Sequence, residues 1–135
     1  MKQRLESKSK ILYMPTKLIY ITLQNEAYRR IIGVDNKGNQ FSVMKLKPGE
    51  STDMEIHKNT DQMFYIVQGT CLLDFSLEDG RFSKIIYQEQ QGFIIKKKTS
   101  HNITNNGTND LKFITKYIGE RLHENNLVEH TKPKN

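Results

Sequence analysis

From Lys17 onward the chain is a succession of short β-type segments separated by turn residues, and this alternation restricts the available folds more than any other feature. The segments span 18–22, 28–34, 40–47, 63–68, 70–77, 82–87, 92–96, 101–105 and 111–117. Asp35-Asn36-Lys37-Gly38-Asn39 reads as a hairpin loop, and Glu78-Asp79-Gly80-Arg81 and Asn105-Asn106-Gly107-Thr108-Asn109 read as tight turns. Gly and Asn tolerate the positive φ that such turns require. Pro48-Gly49 closes a strand in the same way. No long helical pattern interrupts the series, and no internal repeat points to a solenoid. The fold class predicted is all-β, an antiparallel sandwich or barrel rather than a parallel sheet with crossover helices.

A chain of 135 residues suits one compact domain. Residues 1–16 read as a basic, loosely ordered extension, 17–119 as the β-domain, and 120–135 as a polar tail ending in Lys132-Pro133-Lys134-Asn135. The single cysteine, Cys71, lies in the apolar run Thr70-Cys71-Leu72-Leu73 and has no intramolecular disulfide partner. A structural, buried thiol in a reducing, cytoplasmic setting is expected. The apolar N-terminal stretch is broken by Pro15 and Lys17, so neither a signal segment nor a membrane span is expected. The net charge of +6 raises nucleic acid as a partner. The basic residues are interspersed with acidic ones, however, and the lone tight run, Lys96-Lys97-Lys98, reads as a solvated loop. A nucleic-acid partner is therefore not expected.

The densest chemical signal is Pro48–Gly69, PGESTDMEIHKNTDQMFYIVQG. In an extended segment Glu55 and His57 share a face, and the loop after them lets Gln62 begin the next strand, so three polar groups can converge. Far along the chain, Thr99-Ser100-His101-Asn102-Ile103 places a second histidine at the start of a strand. Two imidazoles and a carboxylate suit a first-row divalent metal. The competing readings are core or turn histidines satisfied by the backbone and a surface carboxylate at Glu55. Gln62 is a poorer ligand than a carboxylate and suits a hydrogen bond to metal-bound water or substrate. One carboxylate and two neutral imidazoles leave a divalent ion with net positive charge, which favours an anionic or oxygen-rich ligand. Without metal, His57 or His101 would serve as general base with Glu55 orienting it. Tyr65, Tyr87 and Tyr117 are expected mainly to pack. His123 and His130 lie in the polar tail, which could bring His123 near the site by folding over the barrel mouth. Phe64, Ile66, Phe75, Ile94, Ile103 and Phe113 are the expected core.

The Pro48–Gly69 block resembles the first cupin motif. Gly49 and Gly69 match its flanking glycines, His57 its second histidine, Glu55 stands at its first histidine and Gln62 at its acidic position. His101 and Asn105 match the histidine and asparagine of the second motif, with Lys96 and Lys98 in place of its proline and glycine. Together TLQNEAYRR, MKLKPGESTDMEIHKNTDQMFYIVQG, KKTSHNITNNG and HENNLVEHTK are similar to small cupins of the mannose-6-phosphate isomerase-like group. The resemblance runs from about Lys17 to about Lys132. It implies a single-domain jelly-roll barrel (a double-stranded β-helix) with Glu55, His57, Gln62 and His101 holding a divalent ion, Zn, Fe, Mn or Ni, inside. Glu55, His57 and His101 would be the catalytic residues, acting on a small oxygenated substrate in a sugar isomerase-like or dioxygenase-like reaction. The alternative is a non-catalytic module that binds a sugar or anion. A homodimer is implied, since cupins often pair through edge strands.

Overall fold

A computed structural model describes residues 17–119. The proposed extension and tail, with His123 and His130, lie outside the described residues. The elements are α1 (Leu18–Gln24), β1 (Arg29–Val34), β2 (Gln40–Leu46), β3 (Thr60–Gln68), β4 (Cys71–Ser76), β5 (Phe82–Tyr87), β6 (Gly92–Ile95), β7 (His101–Asn105) and β8 (Leu111–Gly119). They form two antiparallel sheets, ordered β1-β2-β8-β3-β6 and β5-β4-β7. The all-β reading holds, with the apolar core closed between the sheets. Met44, Leu46, Phe64, Ile66, Leu111 and Phe113 contribute from one side and Cys71, Leu73 and Ile103 from the other.

The hairpin punctuation forms as expected. Asp35 and Asn39 close the first loop, with Asp35 N–H donating to Asn39 O at 3.1 Å, and Leu77 N–H donates to Arg81 O at 2.7 Å across the Glu78–Arg81 turn. At Gly69 the conformation demands glycine twice over: φ is +93°, and an added Cβ would meet Asp110 O at 2.9 Å. Lys96, Lys97 and Lys98 are exposed, and Lys97 N–H donates to Asp61 Oδ1 at 2.8 Å, so the triple is a solvated turn.

Three expectations are corrected. The segment 18–22 is part of helix α1, not a strand. It lies over β2, β3 and β8, where Thr22 is buried and donates its hydroxyl to Leu18 O at 2.7 Å. Docking on the sheet, reinforced by Lys112 Nζ donating to Leu23 O, overrides the β propensity of LIYIT. Ile94 is 59% exposed rather than core. Its register partner is the outward-facing Met63, whereas the neighbouring Phe93 stacks inward on Phe64 at 4.8 Å. Finally, β3 starts at Thr60, so Gln62 sits inside the strand rather than opening it. Phe64, Ile66, Ile103 and Phe113 are buried as expected, and Phe75 is partly buried against them. Burial pushes the Cys71 thiol up to about 12, which makes it an inert core group.

The interior changes character along its length. Going along β8, the inward residues are Leu111, Phe113, Thr115 and Tyr117. Their register partners run from Leu46 and Met44 at one end to Ser42 and Gln40 at the other. One end of the barrel is hydrocarbon and the other is lined with polar groups.

Asn105 staples the apolar end. Its Nδ2 donates to Leu46 O and Asn109 O, both at 2.8 Å, and its Oδ1 accepts from Gly107 N–H at 2.9 Å. The residue is 1% exposed, so water cannot substitute. Asn105→Ala leaves three backbone groups without partners and is expected to lower unfolding free energy by about 2–4 kcal/mol in urea titration. A loss under about 1 kcal/mol would show that the staple is dispensable.

Candidate metal centre

At the polar end, Glu55, His57 and His101 each offer a ligand atom, and these atoms all lie within 4.8 Å of one another. Both histidines are buried, at 2% exposure each, and Glu55 is the partly exposed member. Backbone pairing produces this convergence. Glu55 N–H donates to His101 O and His101 N–H donates to Glu55 O, each at 2.8 Å. The same segment pairs with β7 further along, where Thr52 N–H donates to Ile103 O and Gly49 N–H to Asn105 O, each at 2.9 Å. Gly49, at φ +87°, turns the chain out of β2 and into this run. Lys98 N–H donates to His57 O at 2.7 Å and holds the other end of the segment.

The orientation of the His101 ring follows from one hydrogen bond. Nδ1 lies 2.9 Å from Thr99 O, and a carbonyl oxygen only accepts. The proton therefore sits on Nδ1, which leaves the Nε2 lone pair available. That Nε2 is buried and has no hydrogen-bond partner among the described residues. Burial lowers the His101 pKa from its ordinary value, partly opposed by the Thr99 carbonyl. The neutral imidazole is thus favoured, and it is the form that ligates metal. His57 packs its ring 5.3 Å from that of His101 and nearly perpendicular to Tyr117 at 5.1 Å, measured between centroids.

Gln62 adjoins the cluster by a different route. It stands opposite Tyr117 in the β3–β8 register and is 3% exposed. Its Nε2 donates to Thr115 Oγ1 at 2.9 Å, and that hydroxyl donates to Met63 O at 3.0 Å. Since the single hydroxyl proton is committed to Met63 O, Thr115 must accept from the Gln62 amide nitrogen. This sets the amide orientation and leaves the buried Oε1 with no hydrogen-bond partner among the described residues. A buried carbonyl oxygen and a buried imidazole nitrogen, both lacking protein partners, fit a cation or its bound water.

The donor set therefore fits a divalent ion, and Glu55, His57 and His101 meet as the motif spacing predicts. Sequence reasoning treated Tyr117 mainly as packing and did not single out Arg29. Tyr117 is fully buried against His57, and Arg29 Nη2 donates to its hydroxyl at 3.4 Å. The signal for Arg29 is its strand position two residues before Ile31, but its inward direction depends on register. Two other hollows, about 720 and 380 Å³, are lined by residues such as Phe41, Met63 and Ile114, or Phe75, Ile85 and Lys96, and include none of the three ligand residues.

Comparison with known proteins agrees with this fold. The family profile described as the cupin domain matches residues 42–117. The YrkC protein of Bacillus subtilis (strain 168) is 30% identical over 113 residues, 82% of this chain and 59% of YrkC, so the chain spans under two thirds of that relative. The crystal structure of BH2720 from Bacillus halodurans superposes with a TM-score of 0.74 at 22% identity, covering 90% of both chains. An oxalate decarboxylase of Bacillus subtilis with Mn(II) centres superposes with a TM-score of 0.57 at 19% identity, covering 62% of this chain and 22% of that one. Both structural likenesses establish the fold.

The lowered pKa of His101 sets a sign for pH dependence. Unfolded, the imidazole takes up a proton near its ordinary value of about 6.5, whereas the native ring resists protonation to lower pH. The unfolded state then binds more protons in that window, so stability is complete above about pH 6.5 and declines as pH falls towards the native value. In chelator-treated protein, urea titrations between about pH 5 and 7.5 are expected to show a slope of at most about 1.4 kcal/mol per pH unit from this group. His101→Gln should flatten the slope, and an unchanged slope would assign the dependence to other groups.

Proposed function

The chain belongs to the cupin family, and on that basis we propose that it is a metal-dependent cupin enzyme acting on a small oxygenated substrate at Glu55, His57 and His101. The observation that carries this reading is the meeting of three ligand atoms from two distant segments within 4.8 Å, with His101 Nε2 buried and lacking a protein hydrogen-bond partner among the described residues. Mn(II) centres in the oxalate decarboxylase support a divalent ion of that kind. The candidate ions are Zn, Fe, Mn and Ni.

When bound, such an ion supplies a Lewis acid for a substrate carbonyl or hydroxyl oxygen. The protein residues do the rest. Thr99 O takes the His101 Nδ1 proton and so leaves the Nε2 lone pair for a ligand, and Thr115 holds the Gln62 amide so that Oε1 faces away from Thr115. Glu55, the partly exposed carboxylate, would take a proton from a substrate entering from solvent, a role its exposure supports. Packing of His57 against Tyr117 restricts ring motion and keeps water from that side.

A sugar isomerase-like reaction, as the mannose-6-phosphate isomerase-like resemblance suggests, and a dioxygenase-like reaction both remain within this proposal; zinc would favour the former and iron the latter. A cytoplasmic homodimer completes it. Reducing conditions suit the lone, buried Cys71. Pairing is supported by the edge strand β5, which exposes Phe82, Ile85 and Ile86. Among the described residues no helix is long and apolar enough to cross a membrane.

Freshly purified full-length protein is expected to carry one divalent ion per chain by elemental analysis. Glu55→Ala, His57→Ala and His101→Ala should each abolish that occupancy, while Gln62→Ala should weaken it by about 10-fold to 100-fold. Chelation should lower the melting temperature of wild type and leave the three ligand variants unaffected. Full occupancy in any of those three would remove that residue from the ligand set. Tight binding of a sugar or anion without turnover would shift the reading to a non-catalytic binding module.

A further inference from the structure

Arg29 stands opposite Met44, and Ile31 stands opposite Ser42, in the β1–β2 register. Met44 and Ser42 are interior positions, so the same pleat turns the Arg29 side chain into the barrel. Its guanidinium carbon lies 5.7 Å from the Tyr117 ring centroid and 6.0 Å from that of Tyr28. Nη2 donates to the Tyr117 hydroxyl at 3.4 Å. Nε and Nη1 are buried and have no hydrogen-bond partner among the described residues. Nor does any described carboxylate form an ion pair with it. Tyr117 in turn meets His57 edge-on, so a single aromatic ring links this cation to the cluster of Glu55, His57 and His101.

A histidine in such a place sheds its proton, but a guanidinium does not. Two buried donors without acceptors are costly, and the Tyr117 hydroxyl and the two tyrosine faces that engage the rest of the guanidinium accept from neither of them. Arg29 is thus unlike the charged residues that serve the fold, such as Lys45, which pairs with Glu26 at 2.5 Å. Its unused donors call for an anion.

We propose that Arg29 is the anion-binding residue of the centre, taking one carboxylate of a small dicarboxylic acid whose other end points towards Glu55, His57 and His101. The far end of the ligand rests on the metal reading above, whereas the Arg29 contact does not. Charge favours this class. A divalent ion with the Glu55 carboxylate keeps one positive charge and Arg29 adds another, a total that a dicarboxylate neutralises. The tyrosine rings near the guanidinium leave its in-plane N–H groups as the donors, which suits the planar carboxylate.

The test uses full-length wild type, Arg29→Met and Arg29→Lys in calorimetric titrations with malonate, succinate and glutarate, with succinamide as the neutral control and inorganic phosphate as the competing anion. Mn(II) alone is titrated separately. At least one diacid is expected to bind wild type, with about ten-fold or greater weakening in Arg29→Met, partial recovery in Arg29→Lys and no binding of succinamide. Arg29→Met keeps the apolar stem and removes the unpaired charge, so its melting temperature should equal or exceed that of wild type. The assignment is overturned if Arg29→Met binds the diacids as wild type does, if it melts well below wild type, if no diacid binds wild type, or if phosphate outcompetes every diacid with the same dependence on Arg29. A wild type that takes up no Mn(II) but loses succinate on Arg29→Met would sink the metal reading alone and leave the Arg29 contact standing.

Discussion

The backbone pairing of Glu55 with His101 joins two parts of the chain that are far apart in sequence, and the centre exists only where they join. Each residue donates its N–H to the other's carbonyl at 2.8 Å. Such a pair sets register as well as proximity. A slip of one residue in the run from Gly49 to Glu55 would send the Glu55 carboxylate to the other face of the pairing and break the ligand set. Gly49 and Asn105 secure the far end of the same run through Gly49 N–H to Asn105 O and Asn105 N–H to Glu50 O, each at 2.9 Å. The backbone of the turn residues Gly49 and Asn105 therefore also keeps the Glu55–His101 pairing in register.

Stability and function divide the barrel interior between them. The Phe113 end is close-packed hydrocarbon, and burial there drives folding. At the Tyr117 end, polar groups are buried with some of their hydrogen-bonding capacity unused among the described residues, namely His101 Nε2, Gln62 Oε1 and two Arg29 nitrogens. Such groups cost stability unless a ligand meets them. Their concentration at one end, next to three metal-ligand candidates, is what supports the proposal of a binding site there. The hydrocarbon end and the Asn105 staple supply the rigidity that tolerates this.

Much of the fold was legible because turn chemistry is local. Gly38, Gly49, Gly69 and Gly80 all adopt positive φ, and each was placed in a turn or at a strand end by its residue type and neighbours. The misreadings came where neighbours in space overrode neighbours in sequence. LIYIT carries strand-type residues, yet docking on the outer face of a sheet made it helical. Ile94 is as apolar as any core residue, yet its pairing with Met63 turned it outward. At the site, Glu55, His57 and His101 were identifiable because their types and spacing match metal chemistry. Tyr117 and Arg29 passed as ordinary strand residues because their significance lies in what they touch.

The amino-acid order alone determined an antiparallel all-β domain, the position of its turns, and the identity of two histidines and a carboxylate able to ligate a metal, since these follow from φ preferences, a two-residue side-chain period and donor type. Only the tertiary structure decided that these donors meet within 4.8 Å, which His101 nitrogen is taken by a backbone carbonyl, and that Arg29 points inward beside Tyr117 without a counter-ion among the described residues. Those properties depend on register between segments tens of residues apart and on which hydrogen bonds are already taken, and neither is encoded in any local stretch of the chain.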